Sequence, residues 1–413
     1  MRNKVVVTGR GLVTPLGVGL EPNENALRTG KSGIVFVPEW RDLGIESNVG
    51  GLIDEKKLVC PLLDKRTLRY TPVHAMFGIV AAYEALQEAG LETNSLRHRR
   101  MAVVLGHGGS AHTHILDGAE TLMMTHKSKR ISPFTVPKVM PSSAVANISL
   151  VFGIKGESYS ISSACASSAH AITVASRLLQ AGLYDIVLTG GTEELNWIHG
   201  LGFDAMRALS RSFNDTPERA SRPFDKARDG FVIACGSGMM VLETEEHARK
   251  RNAKIFCQVS GMAGNSNATD MVFPDAPSCS QVMNDALNDA GLTPADINYI
   301  NTHGTSTPVG DPIETNSIKS VFYDTNKDVL INSTKCMTGH MIGATGAAEI
   351  IFTSLMMEKE FISPNINLEN IEDECAWANL PREIVKGVKI KHALKNCFGF
   401  GGTNSCVILS AIE

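Results

Sequence analysis

A cysteine surrounded by small residues stands directly before a stretch with helical character. Residues 162–170 read Ser-Ser-Ala-Cys-Ala-Ser-Ser-Ala-His, and an apolar helical pattern continues to residue 181. A thiol at the start of a helix gains thiolate character from the helix dipole, and small neighbours let a thioester approach it. Cys165 is therefore a candidate nucleophile. A buried cysteine at a close helix crossing would need the same small neighbours, so this segment alone leaves both interpretations open.

Two histidines each follow a short apolar run that is typical of a strand. His303 comes after residues 297–300, and His340 comes after residues 329–332. Functional residues of α/β proteins collect at the carboxyl ends of strands. The two side chains could therefore donate hydrogen bonds to one developing oxyanion or enolate.

Two charged residues flank the second histidine. Lys335 precedes it, and Glu349 lies on the helical stretch that follows. The pair could set the charge of a catalytic site, but a purely structural ion pair would explain both residues equally well.

A glycine-rich loop with a single aromatic residue, Phe400, reads Gly-Phe-Gly-Gly-Thr-Asn at residues 399–404. Glycines permit positive φ and expose backbone N–H groups, as an oxyanion hole requires. A plain hairpin also needs glycines.

The elements that must position these residues alternate between short apolar runs and helical patterns. The alternation indicates α/β layers, and a second series of runs begins near residue 255. We therefore read two consecutive α/β halves, residues 1–250 and 251–413. Each half ends in a glycine-rich segment, residues 230–243 and 396–410, that could form a hairpin. Their similarity indicates internal duplication, although no strict period is visible.

Composition and charge exclude several classes of protein. A net charge of −4 argues against non-specific binding to nucleic acid. No run approaches the ~18 consecutive apolar residues of a membrane span. The first residues enter a strand pattern without the hydrophobic stretch of a signal peptide, so we expect a cytoplasmic protein. Nine scattered cysteines without a CxxC pair are typical of a reducing compartment.

Three groups of basic residues stand out along the chain: Lys65, Arg66 and Arg69; Arg97, Arg99 and Arg100; and Lys127, Lys129 and Arg130. For each group taken alone, solvated surface charge is the ordinary explanation.

Four segments together resemble the β-ketoacyl-[acyl carrier protein] synthase family. They are SSACASSAH, NTHGTSTPVGDP, STKCMTGH and NCFGFGGTN, in the family's order and approximate spacing. The similarity also includes VVVTGRGLVTPLG, GGTEEL and NDTPERASRPFDKARDGFVI, so it extends over nearly the whole chain. YSISSACASSAH, FDAM and TDMVFP resemble the type I more than the type II synthases.

The resemblance implies a fold and a reaction. The fold is α/β and thiolase-like, with two duplicated halves in a five-layer αβαβα arrangement, usually as a homodimer. The reaction is a decarboxylative condensation of an enzyme-bound acyl chain with malonyl-[acyl carrier protein], in elongation of a fatty acid or of a related polyketide or polyene. No metal or organic cofactor is implied, since the phosphopantetheine arm arrives on the carrier protein.

The resemblance also implies roles for individual residues. Cys165 would receive the acyl chain, and His303 with His340 would bind the malonyl thioester carbonyl and stabilise the carbanion or enolate. Other implied roles are charge tuning by Lys335 with Glu349, an oxyanion hole from the backbone N–H groups of Cys165 and Phe400, and pantetheine contacts from Thr305 and Thr307.

The resemblance also has implications for the range of acyl substrates and for docking of the carrier protein. The family lines its acyl pocket with the segment that holds His107 and Gly109, near His112 and His114. Gly109 stands where type I synthases have glycine and type II a branched residue, so we expect an open pocket that accepts medium and long primers. Carrier proteins are acidic, and the basic groups at 65–69 and 127–130 would dock them.

Three alternatives compete with this interpretation. A thiolase-like enzyme on coenzyme A thioesters would use Cys397 as a second catalytic thiol. A polyketide chain-length partner would lack the nucleophile, whereas this chain keeps Cys165. A nucleotide-binding oxidoreductase would rest on Gly9-Arg10-Gly11, but Thr14 occupies the third glycine position of that fingerprint.

Overall fold

The computed structural model describes residues 2–93, 96, 100–109 and 111–412. Its strands are β1 (Val5–Thr14), β2 (Gly17–Val18), β3 (Ile34–Phe36), β4 (Val49–Gly51), β5 (Met101–Gly106), β6 (Ser158–Ile161), β7 (Ile186–Glu193), β8 (Gly236–Thr244), β9 (Cys257–Ser266), β10 (Tyr299–Asn301), β11 (Leu330–Asn332), β12 (Phe361–Ile362), β13 (Val385–Lys386), β14 (His392–Gly399) and β15 (Thr403–Ser410).

The helices are α1 (Leu20–Thr29), α2 (Pro38–Asp42), α3 (Val73–Glu88), α4 (His112–Thr125), α5 (Thr135–Val139), α6 (Ser143–Phe152), α7 (Ser167–Gln180), α8 (Trp197–Ala205), α9 (Glu245–Lys250), α10 (Ala276–Ala290), α11 (Gly310–Asn326), α12 (Lys335–Thr338) and α13 (Thr345–Lys359). Short 3-10 turns connect several of them, including one at Ala164–Ala166.

One mixed sheet organises the molecule, in the strand order β11-β10-β14-β15-β9-β1-β8-β7-β5-β6. The first and second parts of the chain contribute opposite sides of it, and they meet where Val5–Val7 of β1 pairs antiparallel with Cys257–Val259 of β9. Outward from this seam, both sides run antiparallel, antiparallel and then parallel. The predicted α/β class is confirmed.

Helices pack on both faces of the sheet. Some contact strands of one part of the chain, and others contact strands of both parts. Helices α3 and α6 share one apolar cluster with β5 and β7, and α10 and α11 share another with the strands of the second part. Helices α7 and α13 lie in the cluster that includes strands of both parts. Residues 345–356 of α13 are all buried, as expected of a helix that is enclosed on every side.

The two glycine-rich segments differ in structure. The second forms a hairpin, because β14 and β15 pair over their whole length. The first does not, because β8 lies between β1 and β7 and pairs with both. Its partners are distant in the sequence, so the local pattern could not identify them.

Glycines on β1 allow helix α3 to pack closely on the sheet. A Cβ atom at Gly9 would overlap the carbonyl oxygen of Ala85, and one at Gly11 would overlap that of Ala81. The pair lies inside a strand rather than in a turn before a helix, so it forms no phosphate-binding loop. Within the described ranges, each helix is too short or too polar to cross a lipid bilayer.

Gly11→Ala is expected to destabilise the fold by about 1–3 kcal/mol, because the added methyl group must push α3 away from β1. Denaturant unfolding measures the change. Gly202→Ala, on α8, is the matched control, since a Cβ atom there meets nothing within 4 Å. Equal stability of the two variants would contradict this account of helix packing.

Candidate active site

Cys165 lies on a tight turn between β6 and α7. The turn is the 3-10 segment Ala164–Ala166, and Ala164 has a φ of 48°. Ser167 stabilises it, because its Oγ accepts from the Ser163 N–H at 2.9 Å and donates to the Ala164 carbonyl at 2.6 Å. A non-glycine residue with positive φ is strained. The strain is concentrated at the residue before the thiol, and the turn fixes where the thiol points.

The environment of the Cys165 thiol differs from the sequence-based expectation. Burial raises its pKa to about 12, while Lys335 and a hydrogen bond from the Phe400 N–H act in the opposite direction. The helix start therefore does not produce a resting thiolate, because desolvation of the charged form outweighs the dipole. The thiol is therefore protonated at rest.

His303 follows β10 and is positioned through its backbone. The N–H groups of His303 and Gly304 donate to the two carboxylate oxygens of Glu314 on α11, at 2.7 and 2.6 Å. The ring Nδ1 has no partner among the described residues. Burial, with the nearby cations Lys335 and Lys395, holds the His303 pKa well below its usual value. The ring is therefore neutral at physiological pH.

His340 is positioned by both its backbone and its ring. Its N–H donates to the Val232 carbonyl at 2.7 Å, and its own carbonyl accepts from the Ala234 N–H at 2.9 Å. The ring Nδ1 lies 3.0 Å from Thr345 Oγ1, and Nε2 has no partner within the described chain. Burial and Lys335 hold its pKa well below the usual range, so this ring is neutral too.

The three predicted reactive residues converge. The Cys165 sulfur and a ring nitrogen of each of His303 and His340 all lie within 4.8 Å of one another, and the imidazole rings meet edge to face at 5.3 Å. Thiolate and imidazole also bind zinc, but two buried lysine ammonium groups nearby disfavour a further cation. Neutral imidazoles beside a thiol suit the stabilisation of a developing oxyanion.

A buried charge cluster lies beneath this group. Lys335 Nζ lies 2.8 and 3.0 Å from the two carboxylate oxygens of Glu349, and Lys395 Nζ lies 2.5 Å from one of them. Lys395 also donates to the Thr302 carbonyl at 2.8 Å. Burial lowers the pKa of Lys335 and raises that of Glu349, but the two ammonium groups bring the Glu349 pKa below its usual value. The cluster carries one net positive charge.

Sequence reasoning missed Lys395 and Glu314. Lys395 is a charged residue within the apolar strand β14, where alternation directs it to the same face as Cys397. That anomaly was a usable signal. Glu314 accepts from backbone groups of the His303 loop and from Asn396 Nδ2 at 3.2 Å, and its sequence context gives no signal.

A cavity of about 370 Å³ ends at the three reactive residues. Phe203, Phe231, Phe398, Phe400 and Ile342 form its apolar walls. The Phe400 backbone N–H donates to the Cys165 sulfur, so this N–H group faces the end of the cavity.

Thr305 and Thr307 line the same cavity. Their hydroxyl oxygens are 3.1 Å apart. Buried Asp311 accepts from the Ser306 N–H at 3.0 Å and so holds the loop between them, where Ser306 has a φ of 70°. The two hydroxyls are fixed side by side along the cavity.

Other predicted residues lie elsewhere. Gly109 and His107 are not among the residues that line this cavity. A Cβ atom at Gly109 would lie 2.9 Å from His199 Nε2, so the missing side chain makes room for that ring. His112 contacts the same ring at 2.9 Å, whereas His114 approaches Asp117 at 3.9 Å.

The basic groups are on the surface. All six predicted docking cations are exposed: Lys65, Arg66, Arg69, Lys127, Lys129 and Arg130. Arg100 pairs with Asp185 at 3.2 Å, while Arg97 and Arg99 lie outside the described residues.

Comparisons with known proteins give a consistent result over the whole chain. The family models for the β-ketoacyl synthase N-terminal and C-terminal domains match residues 2–248 and 256–369. The 3-oxoacyl-[acyl-carrier-protein] synthase 1 of Haemophilus influenzae is 41% identical over 406 residues, which is 98% of each chain. That of Escherichia coli is 39% identical over 99% of each chain. A synthase 2 of Vibrio cholerae is 37% identical, over 98% of this chain and 99% of the other.

Solved structures agree with the sequence comparisons. A β-ketoacyl synthase from Burkholderia phymatum superposes with a TM-score of 0.93 at 31% identity, covering 100% of both chains. A type II polyketide ketosynthase, bound to its acyl-carrier protein and a hexaketide, reaches 0.88 at 31% identity, again over 100% of both chains. The predicted thiolase-like fold is confirmed.

The neutral histidines predict a specific loss of stability in acid. His303 and His340 resist protonation when folded but take up a proton near pH 6.5 when unfolded. Their contribution is therefore present above pH 6.5 and is lost as the pH falls, by up to about 1.4 kcal/mol per pH unit for each ring. The double variant His303→Asn/His340→Asn should have a shallower fall in unfolding free energy between pH 6.5 and 5.

Denaturant titrations at several pH values measure this slope. His126→Asn, at an exposed position, is the control and should keep the wild-type slope. A double variant with an unchanged slope would show that the two rings titrate normally in the folded protein.

Proposed function

The chain belongs to the β-ketoacyl synthase family, and we propose that Cys165 holds its acyl substrate while His303 and His340 act on a malonyl extender. It is a β-ketoacyl-[acyl carrier protein] synthase, an acyl-transferring condensing enzyme of fatty acid biosynthesis. The observation that carries the residue assignment is the approach of one sulfur and two ring nitrogens to within 4.8 Å, at the end of an apolar cavity.

The first step transfers the acyl chain to the enzyme. The Cys165 sulfur attacks the thioester carbonyl, a carbon–sulfur bond forms, and the pantetheine thiol leaves with the proton that the cysteine gives up. Because burial raises the Cys165 pKa to about 12, a neutral imidazole nearby must accept the proton as attack proceeds. The backbone N–H groups of Phe400 and Cys165 stabilise the tetrahedral oxyanion.

The second step uses the malonyl thioester. Its carboxylate leaves as carbon dioxide, and the electron pair of the broken carbon–carbon bond moves into an enolate. When Thr345 donates to His340 Nδ1, the ring proton is on Nε2, which has no partner among the described residues. This Nε2–H would donate to the enolate oxygen. His303 supplies a second donor. The enolate carbon attacks the acyl–Cys165 thioester, and the cysteine sulfur leaves as a thiolate that takes up one proton from water to restore the resting thiol.

The buried cluster of Lys335, Glu349 and Lys395 supports this step electrostatically. One net positive charge in a desolvated site stabilises the enolate and the departing thiolate. Burial lowers the pKa of both histidines most, and this positive charge lowers it further, so both rings donate as neutral groups. The proposed chemistry uses no metal or organic cofactor, since loss of carbon dioxide drives bond formation.

An acyl carrier protein would deliver both substrates on its phosphopantetheine arm. The relatives' names specify this carrier, and Thr305 and Thr307 lie along the cavity where polar groups of the arm would pass. Basic residues of the 65–69 and 127–130 segments are exposed and complement an acidic partner.

Assembly and location follow from other features. The sheet ends at β6, whose outer edge pairs with no described strand, and exposed apolar residues Met123, Met124 and Leu150 stand on helices of the same part of the chain. We propose a homodimer contact there.

All nine cysteines carry free thiols, which suits the cytoplasm. Residues 1–250 and 251–413 are the two proposed halves, and the active site takes residues from both.

The thiolase alternative lacks support from geometry. A second catalytic thiol must reach the substrate, but Cys397 is buried beside Lys395 and is not among the residues that line the cavity. The chain-length alternative requires loss of a nucleophile that is present at Cys165.

Substitution at each reactive residue should separate the two steps. Cys165→Ala should form no acyl-enzyme in intact-mass measurements and should melt like wild type. The single variants His303→Ala and His340→Ala each keep one imidazole to accept the Cys165 proton and should still be acylated, but malonyl decarboxylation should fall by about 10²–10³. Cys397→Ser is the control and should condense normally. An acyl adduct on Cys165→Ala, or full decarboxylation by both histidine variants, would refute the assignment.

Charge reversal should identify the carrier-protein surface. The triple variant Lys65→Glu/Arg66→Glu/Arg69→Glu should lose about tenfold in kcat/KM for acyl carrier-protein substrates, with a flatter salt dependence. Rates with short pantetheine thioesters should not change, because these need no docking. The matched control reverses three exposed cations of the second half, Arg382, Lys386 and Lys389. Equal losses on both substrate types would assign the 65–69 cations to folding instead.

A further inference from the structure

A cluster of imidazole and carboxylate groups lies behind one wall of the cavity. We call it the histidine cluster: His74, His107, His112, His199, Glu193 and Glu194. Its members come from the carboxyl ends of β5 and β7 and from the first turns of α3, α4 and α8. Since β5 and β7 are parallel neighbours, their ends meet at one edge and bring these segments together.

Two apolar side chains separate the histidine cluster from the cavity. Ile342 lines the cavity, and on its other side its Cγ2 would be only 2.9 Å from a Cβ atom at Gly108. Ile342 also has a φ of 43°, a strained value for a β-branched residue. Phe203 lines the cavity one turn after His199 on α8. Ile342 therefore contacts both the cavity and the Gly108 segment beside the cluster, and an acyl chain that displaces Ile342 would enter that segment.

The carboxylate of Glu193 is fully occupied by backbone donors. It accepts from the N–H groups of Gly108, Gly109 and Gly343 at 2.8, 3.0 and 3.1 Å. Glu194 accepts from His74 Nδ1 at 3.1 Å. The acids therefore order the loops, and the free hydrogen-bonding capacity of the cluster lies in its imidazoles.

His107 presents an unpaired acceptor. It is 3% exposed, and its Nδ1 lies 3.0 Å from the Thr192 carbonyl. A carbonyl only accepts, so Nδ1 donates to it, and in the Nδ1–H tautomer Nε2 is left as an acceptor. Nε2 has no partner among the described residues.

His199 presents a second unpaired ring nitrogen. Its Nε2 lies 2.9 Å from His112 Nδ1, while its buried Nδ1 has no partner in the described chain. His199 Nδ1 donates or accepts according to which ring of that pair holds the shared proton. Because Gly109 has no side chain, the His199 ring fits next to Gly109 and Glu193.

We infer that His107 and His199 form a polar end to the acyl site, which selects acyl chains bearing a hydroxyl group near their distal end. This inference rests on the condensation proposed above, because it concerns the chain held on Cys165. When His112 Nδ1 donates to His199 Nε2, the proton of His199 is on Nδ1. A hydroxyl then satisfies both rings, because it donates its one O–H to His107 Nε2 and accepts from His199 Nδ1. A methyl terminus at the same place leaves both nitrogens desolvated and unpaired. The site discriminates chains by chemistry as well as by length.

The length of the acyl primer should determine whether a terminal hydroxyl group affects the rate. A short primer ends before Ile342 and cannot contact the histidine cluster, so a terminal hydroxyl should give no advantage. Once the chain is long enough to pass Ile342, the hydroxylated primer should react about tenfold faster than the unsubstituted primer of equal length.

The experiment compares acyl carrier-protein primers of increasing length, each with a methyl or a terminal hydroxymethyl end. Acylation of Cys165 is followed by intact mass and condensation by product formation. His199→Leu and His107→Leu should each abolish the hydroxyl preference of long primers and leave short primers unchanged. His199→Gln, which keeps hydrogen-bonding groups, should retain most of it. The control is His114→Leu, the same change at a histidine of α4 that contacts Asp117 instead.

Three outcomes would overturn the inference: no hydroxyl preference at any length, a preference already present in the shortest primers, or a preference that survives both leucine variants. Each presupposes that Cys165 is acylated. Absence of acylation by all primers would instead refute the proposed function itself, so the two failures are distinguishable.

Discussion

Glu349 is buried on the central helix α13 between the ammonium groups of Lys335 and Lys395, and the rest of the site depends on this contact. Lys335 begins the segment that leads to His340, and Lys395 lies on the strand that leads to Phe400. Lys395 also binds the Thr302 carbonyl, next to His303. One carboxylate thereby fixes three separate parts of the chain. Loss of a partner from such a cluster would leave an uncompensated buried charge, which costs about 3–5 kcal/mol.

Burial determines the protonation state of each reactive group. It holds the Cys165 thiol protonated and both histidines neutral. A protonated thiol is a poor target for oxidants, so burial protects the Cys165 sulfur from oxidation. Neutral rings donate hydrogen bonds without adding charge to a site that already holds two lysines. The same desolvation that opposes ionisation at rest strengthens electrostatic stabilisation during reaction.

The sequence predicted the α/β class and the candidate residues Cys165, His303 and His340, because each stands at a recognisable place: before a helix or after a strand. It did not predict Lys395, whose partner Glu349 becomes a neighbour only in three dimensions. The thiol was expected to ionise easily, but local sequence does not report depth of burial. The pocket role of Gly109 stays a prediction. The sequence did not predict that His199 of α8 lies beside Gly109, because that contact depends on packing between distant segments.

The two sides of the sheet join through only three residue pairs of β1 and β9, and the central helices α7 and α13 share the core between them. During synthesis the first 250 residues leave the ribosome long before α13 exists. The face of α7 that later packs in the shared core is then uncovered, an apolar surface prone to wrong association. Rapid arrival of the second part, or a chaperone that shields the first, thus becomes a requirement for efficient production of this enzyme.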